Sequence, residues 1–260
     1  MQNELKIALI QSDLVWENPE ENRCQFLEKI EGISDDTDIV LLPEMFTSGF
    51  TMNPENVTEV TSGETISKLK TLAKKKNMAI AGSLVISEDN NYYNRFVFIH
   101  PHGTIDSYNK RHTFTLAGEH KAYAAGSSKT IINYRGWKIC PMICYDLRFP
   151  VWTRNTEDYD LLIYVANWPK PRIIAWDSLL KARAIENMSY CIGVNRVGED
   201  NNGHQYIGHT TVYDFLGEEI ASTVETEEGY LKSTLVKKDL QHTREKLNFL
   251  NDRDQFTIKV

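Results

Sequence analysis

Residues 138–150 read Lys-Ile-Cys-Pro-Met-Ile-Cys-Tyr-Asp-Leu-Arg-Phe-Pro. The apolar run predicts a buried strand, and the polar residues after Cys144 predict a sharp turn, with Asp146 able to cap a short helix. A cysteine at such a turn lies near backbone N–H groups, which favours its thiolate and makes it a candidate nucleophile. The alternative is a small buried hydrophobe, the common state of free cysteine. Three other cysteines lie in apolar patterns and are assigned to this buried class: Cys24, Cys140 and Cys191.

Similar apolar runs recur along the chain and alternate with helical patterns. Strands are expected at 5–10, 39–42 and 161–165, and helices at about 18–33, 64–76 and 173–189. Strands interleaved with helices predict an α/β protein, while hairpin-like stretches indicate that its sheets are not purely parallel. Two mixed sheets packed on each other, with helices outside, fit this strand count.

Composition excludes several classes of protein. The chain has 260 residues, with 29 Lys and Arg against 36 Asp and Glu, and a net charge of −7. A negative chain argues against a nucleic-acid partner, and no apolar run reaches the roughly 18 residues of a membrane span. Four cysteines are too few for a disulfide framework, and the N-terminus lacks the features of a signal peptide. We therefore expect a soluble, cytoplasmic protein.

Two further polar positions follow predicted strands. Glu44 comes directly after the apolar run 39–42 and a proline, so partial burial could raise its pKa toward that of a useful base. Lys110 ends a predicted returning strand and could stabilise an oxyanion. Each also has an ordinary interpretation, Glu44 as a helix-capping or loop carboxylate and Lys110 as a solvated surface cation.

Together these three motifs resemble the nitrilase superfamily of carbon–nitrogen hydrolases. Leu-Pro-Glu at Glu44, Asn-Lys-Arg-His at Lys110 and Ile-Cys-Tyr-Asp-Leu-Arg-Phe-Pro at Cys144 match its Glu-Lys-Cys signature, with spacings of 66 and 34 residues. Further matches occur at 8–11, 81–83, 93–94, 181–187 and 208–210. The run from Cys144 to Trp152 and the run Ala-Asn-Trp-Pro at 166–169 look most like bacterial members of the omega-amidase branch.

The resemblance implies one carbon–nitrogen hydrolase domain over residues 1–260, folded as a four-layer α-β-β-α sandwich and usually dimerised through a helical layer. It implies a thioester mechanism without metal or organic cofactor. Cys144 would be the nucleophile and Glu44 the proton shuttle, while Lys110 and the Tyr145 N–H would bind the oxyanion. Glu119 sits where the family places a second glutamate, which would position Lys110 and the substrate amide.

The implied substrates are small amides, chiefly the monoamides 2-oxoglutaramate and 2-oxosuccinamate, whose far carboxylate needs a cation. Arginine suits bidentate carboxylate binding, so Arg148 and Arg172 are the candidates. Arg148 is also expected to be tied structurally to an acid beneath the turn. Trp168 completes the predicted substrate-binding residues together with Tyr145.

Three alternatives remain open at this point. The first is an amidase or carbamoylase of the same family that acts on another small amide. The second is a catalytically inactive binding protein with the same fold. The third is a metal hydrolase, although metal-binding spacings such as Cys-x-x-Cys or His-Glu-x-x-His are absent from the sequence. Its ligands would come from these residues: His100, His102, His112, His120, Cys140 and Cys144.

Overall fold

The computed structural model describes residues 2–259, which form two mixed β-sheets with helices packed outside them. The strands are β1 (Glu4–Gln11), β2 (Ile39–Leu41), β3 (Ala79–Glu88), β4 (Asn91–Ile99), β5 (Ile105–Asn109), β6 (Ile132–Tyr134), β7 (Trp137–Ile143), β8 (Leu161–Ala166), β9 (Tyr190–Asn195), β10 (Val197–Glu199), β11 (Gln205–Ile207), β12 (Thr211–Tyr213), β13 (Glu219–Ser222) and β14 (Gly229–Val236). The helices are α1 (Pro19–Glu31), α2 (Glu64–Lys76), α3 (Glu119–Ala122), α4 (Pro150–Thr153), α5 (Ile173–Asn187) and α6 (Lys237–Leu247).

The two large sheets share a common plan. One has the strand order β14-β1-β2-β3-β4-β5, and the other has the order β13-β12-β9-β8-β7-β6. The central strands β1, β2 and β3 run parallel, as do β7, β8 and β9, whereas the outer neighbours pair antiparallel. Strands β10 and β11 form a small hairpin of their own.

Side-chain alternation along the strands explains the layering. In β1, Leu5, Ile7 and Leu9 join the large apolar cluster that includes the strands of the second sheet. Ala8 and Ile10 point the other way and join a cluster with α1 and α2. Because successive side chains of a strand point to opposite faces, one apolar strand serves two interfaces. The four-layer sandwich expected from the sequence is confirmed.

The two helices over the first sheet have identifiable ends. Helix α1 starts with Pro19 at its first turn, and the Asn18 side chain accepts a hydrogen bond from the Glu21 amide at 3.2 Å. Helix α2 ends in three lysines that suit the negative end of the helix dipole, and Asn77 then adopts a left-handed conformation with φ of 51°.

The parallel strands bring the polar positions together. Glu44 follows β2, Cys144 follows β7 and Asn167 follows β8, while Lys110 follows the antiparallel strand β5. Since the two sheets pack face to face, the carboxyl ends of β2 and β8 approach each other, and the Asn167 amide donates to Glu44 across the interface at 2.8 Å. A ligand site at such strand ends is usual for α/β proteins.

Some expectations differ from the structure. Cys24 is exposed, because α1 buries Asn22, Phe26 and Ile30 and turns Cys24 away from them. Cys140 and Cys191 are buried as expected. Helix α6 and the hairpin β10–β11 were not predicted. Within residues 2–259, no helix combines the length and apolar character that crossing a membrane requires.

Candidate active site

Cys144 occupies a strained turn at the end of β7. It is the first residue of a short 3-10 helix, Cys144–Arg148, and has a φ of 44°. A positive φ is uncommon for residues other than glycine and persists only where the surroundings hold it. The side chain is partly buried and borders the cavity described below. The turn therefore presents the thiol to a cavity, as the sequence predicts.

Asp146 holds this turn from beneath. Its buried carboxylate accepts hydrogen bonds from the Ile143 amide at 3.1 Å and from the Tyr108 hydroxyl at 2.8 Å. The other carboxylate oxygen accepts from the His112 amide at 3.0 Å and contacts His112 Nδ1 at 2.7 Å. Tyr108 and His112 flank Lys110 in the chain, so Asp146 connects the end of β5 to the turn that carries Cys144.

Glu44 is fully buried and surrounded by hydrogen-bond donors. Its Oε1 accepts from Lys110 Nζ and from Asn94 Nδ2, both at 2.8 Å, and its Oε2 accepts from the Asn167 amide. The Asn167 side chain donates in turn to the Glu44 carbonyl at 2.6 Å. A buried carboxylate without such donors would be costly, so these contacts satisfy the Glu44 oxygens inside the protein.

Lys110 lies between two buried carboxylates. Its Nζ donates to Glu44 at 2.8 Å and contacts both oxygens of Glu119 at 3.0 Å. Burial lowers the pKa of Lys110, but the charges of Glu119, Glu44 and Cys144 outweigh burial and place its pKa well above the ordinary value. Lys110 is therefore a permanent cation, which is the state that oxyanion stabilisation requires.

Glu119 begins the short helix α3 and is fully buried. Besides Lys110, it accepts a hydrogen bond from the Phe114 amide at 2.5 Å. Burial raises its pKa, the charge of Lys110 lowers it, and the charge of Glu44 raises it again, with a net increase above the usual range. Glu119 shares Lys110 with Glu44 but lies in a different loop.

The Cys144 thiol is protonated at neutral pH. Burial raises its pKa, the negative charge of Glu44 raises it further, and Lys110 only partly opposes them, so that the pKa lies well above the ordinary value. This direction is opposite to the expectation that the turn favours the thiolate, because burial and the charge of Glu44 raise the thiol pKa more than Lys110 lowers it. A neutral thiol needs a base to accept its proton as it attacks, and Glu44 is the nearby carboxylate whose charge acts on it most strongly.

A cavity of about 400 Å³ opens above Cys144. The predicted substrate-binding residues Tyr145, Arg148, Trp168 and Arg172 all border it. Glu44, Lys110 and Glu119 do not border the cavity, and their side chains are 0%, 1% and 0% exposed. The structure thus brings the four predicted catalytic residues together and places the four predicted binding residues at the same cavity.

The two arginines stack on aromatic rings of the cavity wall. The Arg148 guanidinium lies 5.0 Å from the Trp168 ring centroid, and that of Arg172 lies 5.2 Å from the Phe114 centroid. Within residues 2–259, neither forms an ion pair with a carboxylate. Arg148 is exposed rather than tied to an acid beneath the turn, because Asp146 is already occupied by Tyr108, His112 and the Ile143 amide. That structural role for Arg148 is wrong.

Several residues of the site were not singled out by sequence. Asn94 and Asn167 appeared only within matching motifs, although both hydrogen-bond to Glu44. The hairpin β10–β11 adds Asp200, His204 and Tyr206 to the cavity. Its strands are three residues long, too short to produce a recognisable alternation, so no sequence signal identified them.

Two of the histidines considered for a metal hydrolase have carboxylate partners. His100 contacts Asp106 at 2.7 Å, and His112 contacts Asp146. In the described part of the chain, no three His, Cys, Asp or Glu side chains are arranged to hold a metal ion. The cluster at Cys144 instead provides a thiol, a neighbouring carboxylate and a fixed ammonium, which are the groups that acyl transfer from an amide needs.

Comparisons with known proteins show the family of this chain. Omega-amidase YafV of Yersinia enterocolitica is 44% identical over 255 residues, which cover 98% of each chain. The 2-oxoglutaramate amidase of Bacillus subtilis is 33% identical over 253 residues, 95% of this chain and 96% of that one.

The crystal structure of XC1258 from Xanthomonas campestris, a CN-hydrolase superfamily protein with an arsenic adduct in its active site, superimposes with a TM-score of 0.96. It is 37% identical, and the match covers 99% of this chain and 100% of that one. The sequence profile of the Carbon-nitrogen hydrolase family matches residues 6–245. With its sandwich fold and its buried Glu-Lys pair beside a cysteine, the chain belongs to the carbon–nitrogen hydrolase family.

Proposed function

We propose that this chain is an omega-amidase, which hydrolyses monoamides of short dicarboxylates, such as 2-oxoglutaramate and 2-oxosuccinamate, to the dicarboxylate and ammonia. The observation that carries this proposal is one cavity that has a thiol at its base and two arginines on its wall. In residues 2–259, neither arginine has a carboxylate partner. The similarity to proteins named omega-amidase and 2-oxoglutaramate amidase supports it.

The first half-reaction forms a thioester. The Cys144 sulfur attacks the amide carbon while Glu44 accepts the thiol proton, and Lys110 together with the Tyr145 N–H stabilises the oxyanion. The tetrahedral intermediate then collapses as Glu44 passes that proton to the nitrogen, so that the C–N bond breaks and ammonia leaves.

The second half-reaction returns the free enzyme. Glu44 takes a proton from water, and the hydroxide attacks the thioester carbon. The C–S bond then breaks and Glu44 returns the proton to the sulfur, which releases the product acid, and the acid then loses its proton to solvent. Glu119 keeps Lys110 in place through the contacts at 3.0 Å. The steps use side chains and one backbone N–H of this protein together with water, so the proposal requires no metal or organic cofactor.

The far carboxylate of the substrate would bind the arginines of the cavity. A guanidinium stacked on an aromatic ring is held in one orientation yet keeps its N–H donors free for a carboxylate. Arg172 stacks on Phe114 and is the more enclosed of the two, so it is our principal candidate, with Arg148 second.

Ammonia release from a panel of amides tests this function. The panel contains 2-oxoglutaramate, 2-oxosuccinamate, glutamine, an N-carbamoyl amino acid, a simple nitrile and the neutral amide hexanamide. We expect the two oxo acids to have the highest kcat/KM. In Arg172→Met the preference for 2-oxoglutaramate over hexanamide should fall, since losing a desolvated charged pair costs about 2–4 kcal/mol, or roughly 30- to 1000-fold. A wild type without preference for an anionic amide would contradict the omega-amidase proposal.

We also propose that residues 1–260 form one catalytic domain, that the protein acts in the cytoplasm, and that it is a homodimer. Its four cysteines are free, as expected in a reducing compartment.

For the dimer, α5 exposes Ile174 and Ile185, which are three helical turns apart and share one face. Exposed Val151 and Leu216 add further apolar surface. A second copy covering this layer would remove these side chains from water.

A further inference from the structure

We propose that His204, oriented by Asp200, supplies a third cation to the cavity and binds the far carboxylate of the substrate when its imidazole is protonated. The inference rests on the proposed omega-amidase function and names a specificity-determining residue of the same site. It arises from the hairpin β10–β11, which belongs to neither large sheet and whose connecting loop borders the cavity.

The loop is built around the Asp200 carboxylate. This side chain is 6% exposed and accepts hydrogen bonds from the Asn202 and His204 amides at 2.8 and 3.0 Å, and from the Tyr206 hydroxyl at 2.8 Å. Although burial opposes it, these hydrogen bonds hold the pKa of Asp200 below its usual value. Asp200 is thus a fixed, satisfied anion that orients the groups around it.

The His204 ring contacts this anion through one nitrogen only. Nδ1 lies 3.2 Å from Asp200 Oδ2, and no residue of 2–259 makes a hydrogen bond to Nε2. A carboxylate at Nδ1 fixes the ring orientation and leaves Nε2 as the donor that remains. The side chain is 52% exposed and borders the cavity, so a ligand in the cavity can approach this ring.

The base of the hairpin is anchored. Arg196 is fully buried, donates to Asp13 at 2.6 Å, and lies 4.6 Å from the centroid of the Tyr206 ring. Tyr206 is in turn close enough to Cys144 for the thiol to influence its pKa, which burial and the Asp200 charge raise. His204 is therefore presented from a fixed hairpin close to the nucleophile.

Charge favours an anionic ligand at this position. Arg148 and Arg172 also border the cavity, without carboxylate partners in the described residues, and Asp200 is the one carboxylate that borders it. The charged and titratable groups around His204 are Asp200, Tyr206, Arg196, Arg148, Arg172 and Cys144. Of the side chains bordering the cavity, histidine is the type whose charge changes between about pH 5 and 8.

The test uses the ratio of kcat/KM for 2-oxoglutaramate to kcat/KM for hexanamide, measured at pH 5.5 and pH 8.5. Titrations of the catalytic residues act on both substrates and cancel in this ratio, and the substrate carboxylate is ionised throughout. In the wild type the ratio should rise as pH falls, because a protonated imidazole attracts the substrate carboxylate and a neutral one does not. In His204→Gln we expect roughly a five- to tenfold lower ratio at pH 5.5 and little change at pH 8.5.

The matched control is His242→Gln, which replaces an exposed histidine on α6 and should behave as the wild type. An unchanged ratio in His204→Gln, or the same loss at both pH values, would overturn the cationic role of His204. A wild type without preference for 2-oxoglutaramate at either pH would instead contradict the proposed function, so the two failures are distinguishable.

Discussion

Glu44 and Glu119 contact the same lysine but differ in what else they reach. Glu44 is the carboxylate whose charge acts most strongly on the Cys144 thiol, whereas Glu119 is tied to the Phe114 amide. Because the thiol pKa is raised, attack requires transfer of its proton, and Glu44 is positioned to accept it. Glu119 can act on Lys110 without exchanging a proton.

Glu44→Gln should therefore fail in both half-reactions, with a loss of roughly 10²- to 10⁴-fold, as expected for a general base. Glu119→Gln should still form the thioester, but slowly. A quenched-flow measurement of ammonia in the first turnover separates the two variants, and each serves as the control for the other, since both retain one carboxylate on Lys110. Near-normal ammonia release by Glu44→Gln would refute this division of roles.

Site residues could be predicted from the sequence where both the side-chain type and the position directly after a strand are typical of an active site. Glu44, Lys110 and Cys144 each follow a recognisable strand, and Glu119 was located by resemblance. The partner of Arg148 could not be predicted, because the competition between Tyr108, His112 and Arg148 for Asp146 depends on three-dimensional contacts. The raised pKa of the Cys144 thiol was missed for the same reason, since burial and the charges of Glu44 and Glu119, both distant in sequence, cause it.

Among the elements, the turn after β7 depends on one carboxylate. Asp146 joins the end of β5 to the turn, because both of its oxygens accept hydrogen bonds from donors in these two segments. In Asp146→Asn an N–H₂ group replaces one acceptor and leaves buried donors unpaired. We expect the free energy of unfolding to fall by about 1–3 kcal/mol.

The same substitution should lower kcat more than it changes KM, because the positions of Cys144 and the Tyr145 N–H would be less well held. Denaturant unfolding and steady-state kinetics check both effects. Asp254→Asn, in the exposed C-terminal segment, is the control and should change neither. Full stability and kcat in Asp146→Asn would show that the turn does not depend on this carboxylate.

Elements with strong periodicity were predictable and weakly patterned ones were not. The buried strands β1, β7 and β8 are continuous apolar runs with clear ends. Helix α6 buries only Lys237 and Leu240, so it has no apolar stripe that could identify it. Such elements form because neighbouring segments pack against them, and these contacts cannot be predicted from the local sequence pattern.

At the scale of the whole molecule, the exposed apolar face of α5 predicts the assembly. If a second copy covers Ile174 and Ile185, then the double variant Ile174→Asp, Ile185→Asp should be monomeric, because two buried carboxylates would face the partner. Light scattering measures the mass, with the exposed pair Ser67→Asp, Lys74→Asp on α2, which packs on the other sheet, as the control. An unchanged mass in the isoleucine variant would place the dimer contact elsewhere, and a monomeric wild type would contradict the homodimer.

We propose that an anionic amide is hydrolysed through a thioester on Cys144. The most direct test is acid quenching of the enzyme during turnover of 2-oxoglutaramate, followed by mass spectrometry of its peptides. We expect a substrate-derived acyl group on the peptide that contains Cys144, none on peptides with Cys24, Cys140 or Cys191, and none at all in Cys144→Ala. Turnover without any acyl group on Cys144, or with the group on another residue, would contradict the account.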